Sequence, residues 1–175
     1  LEYDGTKFSG FQRQNNAITI QQHLEEALYK ITNENIVINY SGRTDAGVHA
    51  ISQVFDFETD ISREDSNWIK GINSNLPKSI GVKKIFNVPA NFDSRFSAIE
   101  RKYSYVIYNS SSKPLFFDDY CYSEAYKFKK NIKLKYTEGS IDGIKNKVDD
   151  LCLQFPKNMC IMTLIAYYLK TSIKD

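Results

Sequence analysis

Residues 19–40, TIQQHLEEALYKITNENIVINY, decide the fold because they contain one clear helix followed directly by one clear strand. Five apolar residues of this stretch recur at helical spacing and form one face: Ile20, Leu24, Ala27, Leu28 and Ile31. Thr19, with Gln22 three residues later, fits a capping box at the start of the helix. Residues 36–40 are rich in β-branched and aromatic side chains and predict a strand.

The flanking sequence adds further strands and a second helix. Residues 1–3 are typical of the end of a strand, and 50–59, 80–88 and 101–109 also have strand character. Ser62 can cap a second helix, whose apolar stripe comprises Trp68, Ile69, Ile72 and Leu76. The order β-α-β-β-α-β, with one additional strand, predicts an α+β fold of the split ferredoxin or RRM type. Such a fold has a four-stranded antiparallel sheet with its helices on one face.

The chain divides near residue 109. A linker-like segment, SSSKP at 110–114, follows, and no confident periodicity appears beyond it. All five arginines lie in residues 1–109, whereas 110–175 contain eleven lysines and no arginine. We therefore expect one domain over 1–109 and an incomplete or divergent second part over 110–175.

Composition excludes several classes of protein. With 42% hydrophobic and 25% charged residues, the 175-residue chain is neither disordered nor of low complexity. The longest apolar stretch is too short to cross a membrane. Three unpaired cysteines and two histidines argue against a disulfide framework or a metal site, so a reducing cytoplasm is the expected location. A net charge of +2 is too weak to indicate a nucleic-acid partner, which would need a local basic patch.

The densest group of chemically active residues is the loop SGRTDAGVHA at 41–50. Arg43 and Asp45 are two positions apart, so an extended backbone places them on one side, where the guanidinium keeps the carboxylate ionised and oriented. Such a carboxylate can act as a nucleophile or a base. The alternative is a surface ion pair in an ordinary loop. His49 is either a packed histidine or a support for this loop.

A second group interleaves basic and aromatic residues over 92–105, FDSRFSAIERKYSY. Arginine and lysine bind phosphates, and aromatic rings stack on unstacked bases, so the pattern favours RNA. The alternative is a sheet face with packed tyrosines and solvated charges. A third segment, YDGTKFSGFQRQ at 3–14, is a hairpin-like loop that could line a groove.

These three segments, in this order, resemble the tRNA pseudouridine synthase A (TruA) family. The matching motifs are 3–6 with 10–12, the specific stretch 42–50, and 95–98 with 101–103. The resemblance covers about residues 1–109 and implies isomerisation of uridine to pseudouridine in the anticodon arm of tRNA, at about positions 38–40. It further implies a cytoplasmic homodimer that uses neither a cofactor nor a metal.

The resemblance also implies roles for individual residues. Asp45 matches the catalytic aspartate, which attacks C1′ of the ribose, adds to the base, or removes a sugar proton. Arg43 would pair with Asp45 and help to displace the target base, and Tyr103 would stack on the flipped uracil. The remaining basic residues would bind phosphates or stabilise the cleft: Arg95, Arg101 and Lys102.

The tail departs from the family pattern. Family members are usually longer and have a second α/β domain, whose motifs are not found after Asn109. We therefore expect residues 110–175 to be a divergent tail, which a truncated or frameshifted second domain would explain. Two alternatives to an active enzyme follow: a non-catalytic RNA-binding α+β module, and an inactive fragment of the enzyme.

Overall fold

The computed structural model describes residues 1–101, 103–109, 115–116, 118–124 and 162–164. These residues form helices α1 (Ile20–Thr32) and α2 (Asp65–Asn75). The strands are β1 (Glu2–Tyr3), β2 (Asn39–Tyr40), β3 (His49–Ala50), β4 (Phe55–Asp56), β5 (Ile80–Gly81), β6 (Tyr103–Tyr105), β7 (Ile107–Asn109), β8 (Tyr122–Glu124) and β9 (Met162–Leu164).

Helix α1 begins where the sequence predicts. Thr19 has an extended backbone, and its side chain accepts a hydrogen bond from the Gln22 amide at 3.4 Å. The side chain of Gln22 donates to Glu26 Oε1 on the next turn, so Thr19 is a simple N-cap rather than half of the predicted capping box. Asn33 ends the helix in the left-handed conformation, and its amide donates to Tyr29 O at 2.7 Å.

Helix α2 begins later than predicted. Glu64 occupies the N-cap position without a side-chain capping bond, so the prediction that Ser62 caps this helix is wrong. The chain is anchored just before the N-cap by Arg63, whose Nη2 donates to Ile31 O at 2.6 Å. The Arg63 guanidinium also lies over the Trp68 ring, 5.5 Å from its centroid. These contacts tie the start of α2 to the end of α1.

The central sheet has the strand order β5-β1-β3-β9-β6. Strand β1 pairs antiparallel with both neighbours, so that Tyr3 lies opposite Ile80 on β5 and Ala50 on β3. Strand β2 pairs antiparallel with β4 in a separate ladder. The order β5-β1-β3, with β2 against β4, is that of the split β-α-β-β-α-β pattern. Within the central sheet, β9 departs from the antiparallel expectation because it runs parallel to β3.

The predicted strand over 50–59 is two strands rather than one. The segment between β3 and β4 keeps hydrogen bonds on both sides without regular strand geometry: Gln53 N donates to Leu1 O at 2.8 Å, and Ser41 N donates to Val54 O at 3.0 Å. This irregular segment separates the ladder of β2 and β4 from the central sheet.

The other predicted strands are also shorter than expected. Of the strand predicted over 36–40 only β2 forms, and of that over 80–88 only β5. The strand predicted over 101–109 divides at Val106, because β6 belongs to the central sheet whereas β7 pairs in parallel with β8.

One core joins both helices to the sheet. Its buried members are Leu1, Tyr3, Phe8, Phe11, Ile20, Leu24, Ala27, Leu28, Ile36, Ile38, Ala50, Trp68, Ile72, Ile80 and Val82. The helices pack closely, since a Cβ built on Gly71 of α2 would lie 3.4 Å from Ile31 Cγ2 of α1. The predicted α+β fold is confirmed.

The described residues belong to two compact units, one containing 1–104 with 162–164 and the other containing those from 105 to 124. In the second unit Cys121 is a buried free thiol. Most of the predicted tail, 110–175, lies outside the described residues, so its assignment as a divergent second domain stays a prediction.

No helix in the described part of the chain is long and apolar enough to span a membrane. Nor do its histidine, cysteine and carboxylate side chains gather in a group of three suited to a metal ion.

Candidate active site

Two loops interlock through their backbones. The loop at 41–48, called the Asp45 loop below, connects the β2 and β3 strands, and the loop at 4–11 follows β1. Phe11 N donates to Thr44 O at 3.0 Å, and Gly47 N donates to Phe8 O at 3.2 Å. Because these bonds are between main-chain atoms, they fix the path of the Asp45 loop independently of its exposed side chains.

Two glycines permit this arrangement for different reasons. A Cβ on Gly5 would lie 2.0 Å from Val48 O, so only glycine lets the two backbones approach this closely. Gly47 has a φ of +79°, a left-handed conformation that disfavours other residues, although a Cβ there would meet no described atom within 4 Å.

Hydrogen bonds of buried side chains also fix the Asp45 loop. The hydroxyl groups of Tyr3 and Thr44 are hydrogen-bonded at 2.8 Å. His49 is buried, and its Nδ1 accepts a hydrogen bond from Gly5 N at 3.2 Å, so it is both a packed histidine and a support for the loop. Nδ1 also lies 3.2 Å from Asp4 Oδ1. One nitrogen cannot accept from Gly5 and donate to Asp4 in the same state, so the contact with Asp4 is an ion pair only when the ring is protonated.

Asp45 and Arg43 project from this supported loop. Both side chains are exposed, whereas Thr44, Val48 and His49 are buried. Among the described residues no ion pair joins Arg43 to Asp45, so the predicted pairing of these two side chains is wrong. Exposure explains the outcome, since two solvated side chains gain little from being held together. The loop therefore presents a carboxylate and a guanidinium two positions apart, both open to solvent.

The turn at 93–97 carries the second predicted group. Asp93 Oδ1 accepts hydrogen bonds from the amides of Arg95 and Phe96, at 2.8 and 2.9 Å, which rigidifies the turn. Both of these side chains are exposed, and the Arg95 guanidinium lies over the Phe96 ring, 5.4 Å from its centroid. The Ser94 amide donates to Asp56 Oδ1 at 2.8 Å, which ties the turn to strand β4.

Arg101 bridges the turn and the loop. Its Nε and Nη2 donate to Ser41 O at 2.9 and 2.7 Å, and Nη2 also donates to Arg95 O at 3.0 Å. The donors of Nε and Nη2 are thus used by carbonyl groups that belong to the loop and the turn, so Arg101 joins these two segments. Tyr103 is half-buried and packs against the core. Lys102 lies outside the described residues.

The sequence reasoning missed Gln53. This residue is 1% exposed and hydrogen-bonds to the start of the Asp45 loop. The sequence did contain an indication of its role. Gln53, Phe55 and Phe57 alternate along the predicted strand, so Gln53 is a polar residue on the side of the strand that carries the two phenylalanines. A buried amide needs partners, and these could have been sought in the neighbouring loop.

Comparison with known proteins places the chain in a family. Residues 1–97, more than half of the chain, match the family model described as tRNA pseudouridine synthase. The chain therefore belongs to this family of RNA-modifying proteins. The matched residues include the Asp45 loop and the turn at 93–97.

Individual relatives agree with this assignment. The chain is 54% identical over 111 residues to tRNA pseudouridine synthase A of Pseudoalteromonas atlantica, a match covering 63% of this chain and 42% of the relative. It is 50% identical over 114 residues to that of Klebsiella pneumoniae and 48% identical over 114 residues to that of Escherichia coli. Each of these two matches covers 65% of this chain and 42% of the relative. The match thus spans less than half the length of these curated relatives.

Proposed function

We propose that this chain carries the catalytic segment of a tRNA pseudouridine synthase and that Asp45 is its essential carboxylate. The observation that carries the proposal is the exposure of Asp45 on a loop whose neighbours Thr44, Val48 and His49 are buried. Family membership over residues that include this loop supports it. A carboxylate fixed at its backbone and open at its tip can reach a nucleotide within a folded RNA.

The proposed reaction converts uridine to pseudouridine in the anticodon arm, at about positions 38–40 of the tRNA, after the base has left its stack. The C1′–N1 bond breaks, the uracil rotates, and C5 bonds to C1′. N1 ends with a proton and C5 loses one, so the reaction needs neither an oxidant nor a group donor. We expect no metal or cofactor to take part.

Asp45 can act in three ways: attack on C1′, addition to the base, or removal of a sugar proton. Each of them requires an ionised carboxylate at the reacting nucleotide. Arg43, exposed two positions away, supplies a positive charge that can displace the base and attract the phosphate backbone. Tyr103 is proposed to stack on the uracil. Arg95 and Lys102 are proposed to bind phosphates, and Arg101 to stabilise the cleft.

A second candidate function follows from the length of the match. Because the match spans 42% of the relatives, the chain could bind the anticodon arm without converting it. The exposed Arg95–Phe96 pair suits such a module, since a cation and a ring together fit phosphates and unstacked bases. This candidate predicts binding without product.

The deciding experiment compares wild type with Asp45→Asn, a change that removes the charge at nearly constant volume. The substrate is a tRNA anticodon arm that carries a hydrogen isotope at C5 of uridine. The isotope is released when C5 bonds to C1′, and this release is measured together with the Kd for the RNA. We expect turnover to fall at least about 1000-fold in the variant while RNA binding is retained. Asp60→Asn is the matched control, because Asp60 is exposed on the segment before α2 and has no assigned role.

The outcomes separate the candidates. Turnover by Asp45→Asn at close to the wild-type rate contradicts the catalytic role of the carboxylate. Binding by the wild type without any product favours the RNA-binding module. Tyr103→Phe should keep turnover within about threefold if only the ring stacks on the base, and a larger loss assigns a role to its hydroxyl.

We further propose that the complete protein is a cytoplasmic homodimer, as its resemblance to the family implies. Sedimentation of the chain with and without the anticodon arm measures the oligomeric state. A monomer at all concentrations contradicts this part of the proposal for this chain.

A further inference from the structure

A buried amide lies at the base of the loop that presents Asp45. The Gln53 side chain is 1% exposed; its Nε2 donates to Gly42 O at 2.6 Å, and its Oε1 accepts from Ser41 Oγ at 3.0 Å. Two adjacent residues of one bend are therefore bonded to opposite ends of one carboxamide. In a buried setting this arrangement strongly favours one backbone path, because any other leaves polar groups unpaired.

The amide, the hydroxyl and the carbonyl of Ser41 are all hydrogen-bonded. Its amide donates to Val54 O at 3.0 Å, its hydroxyl donates to Gln53, and its carbonyl accepts twice from Arg101. Since Arg101 also bonds to Arg95 O, the bend is connected to the turn at 93–97. The start of the loop is thus a junction between two segments that carry RNA-facing residues.

The direction of Asp45 depends on this junction. Since no ion pair joins Asp45 to Arg43 in the described part of the chain, the path of its backbone sets the direction of the carboxylate. That backbone is fixed beyond Asp45 by the bond from Gly47 N to Phe8 O. Directly before Asp45 it is fixed by the bonds of Thr44 to Phe11 and Tyr3, and at the start of the loop by those of Gln53 to Ser41 and Gly42. An error of about 1 Å in the position of a reacting group can reduce a rate about 100-fold.

We infer that Gln53 is a positioning residue for the proposed reaction: its buried carboxamide sets the bend that aims Asp45 at the nucleotide. This inference rests on the proposed function of the site. Gln53 does not touch the RNA in this scheme, and its removal should affect the chemical step more than substrate binding.

The test uses Gln53→Met, which keeps length and loses the hydrogen bonds, and Ser41→Ala, which removes one of them. Asn73→Leu is the control for losing a pair of amide hydrogen bonds elsewhere. The exposed Asn73 side chain donates to Val82 O at 2.9 Å and accepts from Val82 N at 2.8 Å, away from the loop. All three variants are made in the full chain.

Hydrogen exchange gives a readout that does not need activity. In Gln53→Met we expect the amides of Phe11 and Gly47, which join the two loops, to exchange at least about tenfold faster while those of α1 keep their protection. Ser41→Ala should show a smaller change at the same amides, and Asn73→Leu a change at Val82 instead. Unchanged exchange at the loop, or an equal rise in α1, overturns the inference.

Steady-state kinetics give the second readout. We expect kcat of Gln53→Met to fall about 10- to 100-fold with KM for the anticodon arm within about threefold, since positioning acts on the reacting group. A raised KM with unchanged kcat overturns the inference.

If the wild type forms no pseudouridine, the proposed function fails, while hydrogen exchange still decides whether Gln53 fixes the loop. If Gln53→Met does not fold, Ser41→Ala decides through both readouts.

Discussion

Helix α1 and the Asp45 loop are ordered by different kinds of contact. The bonds that define the helix span a few positions, as in Thr19 with Gln22 and Gln22 with Glu26. The loop is held by Tyr3, 41 positions from Thr44, and by Arg101, 60 positions from Ser41. The position and ends of the helix are therefore specified by its own sequence, with packing against the core adding stability, whereas the loop acquires its shape only when the sheet brings remote segments together. It follows that the site is sensitive to changes far from it along the chain.

The largest expected effect is that of Gly5→Ala, which breaks the loop at its closest approach. The new Cβ would lie 2.0 Å from Val48 O and 2.5 Å from Val48 C, and backbone atoms cannot yield as a side chain can. We expect a loss of more than about 4 kcal/mol in the free energy of unfolding, or no folded protein at all. Chemical denaturation measures it.

Gly81→Ala is the control for that prediction. A Cβ on Gly81 meets only Glu2 Cγ among the described atoms, at 3.9 Å, so the change should stay within about 1 kcal/mol. Equal stability losses in Gly5→Ala and Gly81→Ala would contradict the close approach of the two loops.

Leu28→Ala tests the helix side of the comparison. Leu28 is fully buried in the core, and its truncation should destabilise the protein by about 3 kcal/mol through lost transfer energy and a residual cavity. Val37→Ala, at a side chain that is 75% exposed, should change stability by less than about 0.5 kcal/mol. RNA affinity of the folded Leu28→Ala protein should be unchanged, because the loop is held by other residues; a large loss of affinity would show that the two regions are coupled.

Gly47→Ala measures the cost in stability of a left-handed backbone conformation in the absence of a steric clash such as that at Gly5. The position has room for a Cβ but a φ of +79°, so we expect a cost of about 1.5 kcal/mol from the left-handed conformation. Thermal unfolding beside Gly5→Ala measures the difference. A loss as large as that of Gly5→Ala contradicts the open space at this position.

The smallest effect is expected at the start of the helix. Thr19→Val keeps the buried shape and removes the hydroxyl that caps the Gln22 amide, which should cost about 1 kcal/mol. Gln22→Ala, which removes only the side-chain contact with Glu26, should cost less than about 0.5 kcal/mol. If Gln22→Ala proves the more harmful of the two, the simple N-cap is wrong.

The sequence predicted best those features that depend on interactions between residues close together along the chain. The α1 helix, its cap at Thr19 and the α+β class follow from spacing along the chain, and all three are confirmed. Prediction from sequence worked less well at boundaries: Ser62 does not cap α2, because Arg63 is held by α1 and Trp68 instead. Nothing in the local sequence indicates that anchor.

The candidate site shows the same division. Arg43 and Asp45 lie on a loop between strands, as predicted, but their expected ion pair does not form because both are solvated. Arg101 was expected either to bind phosphate or to stabilise the cleft, and the structure shows its Nε and Nη2 donating to the carbonyls of Ser41 and Arg95. The catalytic and RNA-binding roles stay predictions.

The amino-acid sequence by itself determined the helix, the family and the loop on which the carboxylate lies. Only the tertiary structure decided what fixes that loop, namely the buried amide of Gln53, the guanidinium of Arg101 and the backbone contact between Gly5 and Val48. The reason is physical: helical bonds join residues a few positions apart, so their partners follow from spacing. Bonds that span 11 positions at Gln53 and 60 at Arg101 depend on how the sheet aligns the chain with itself.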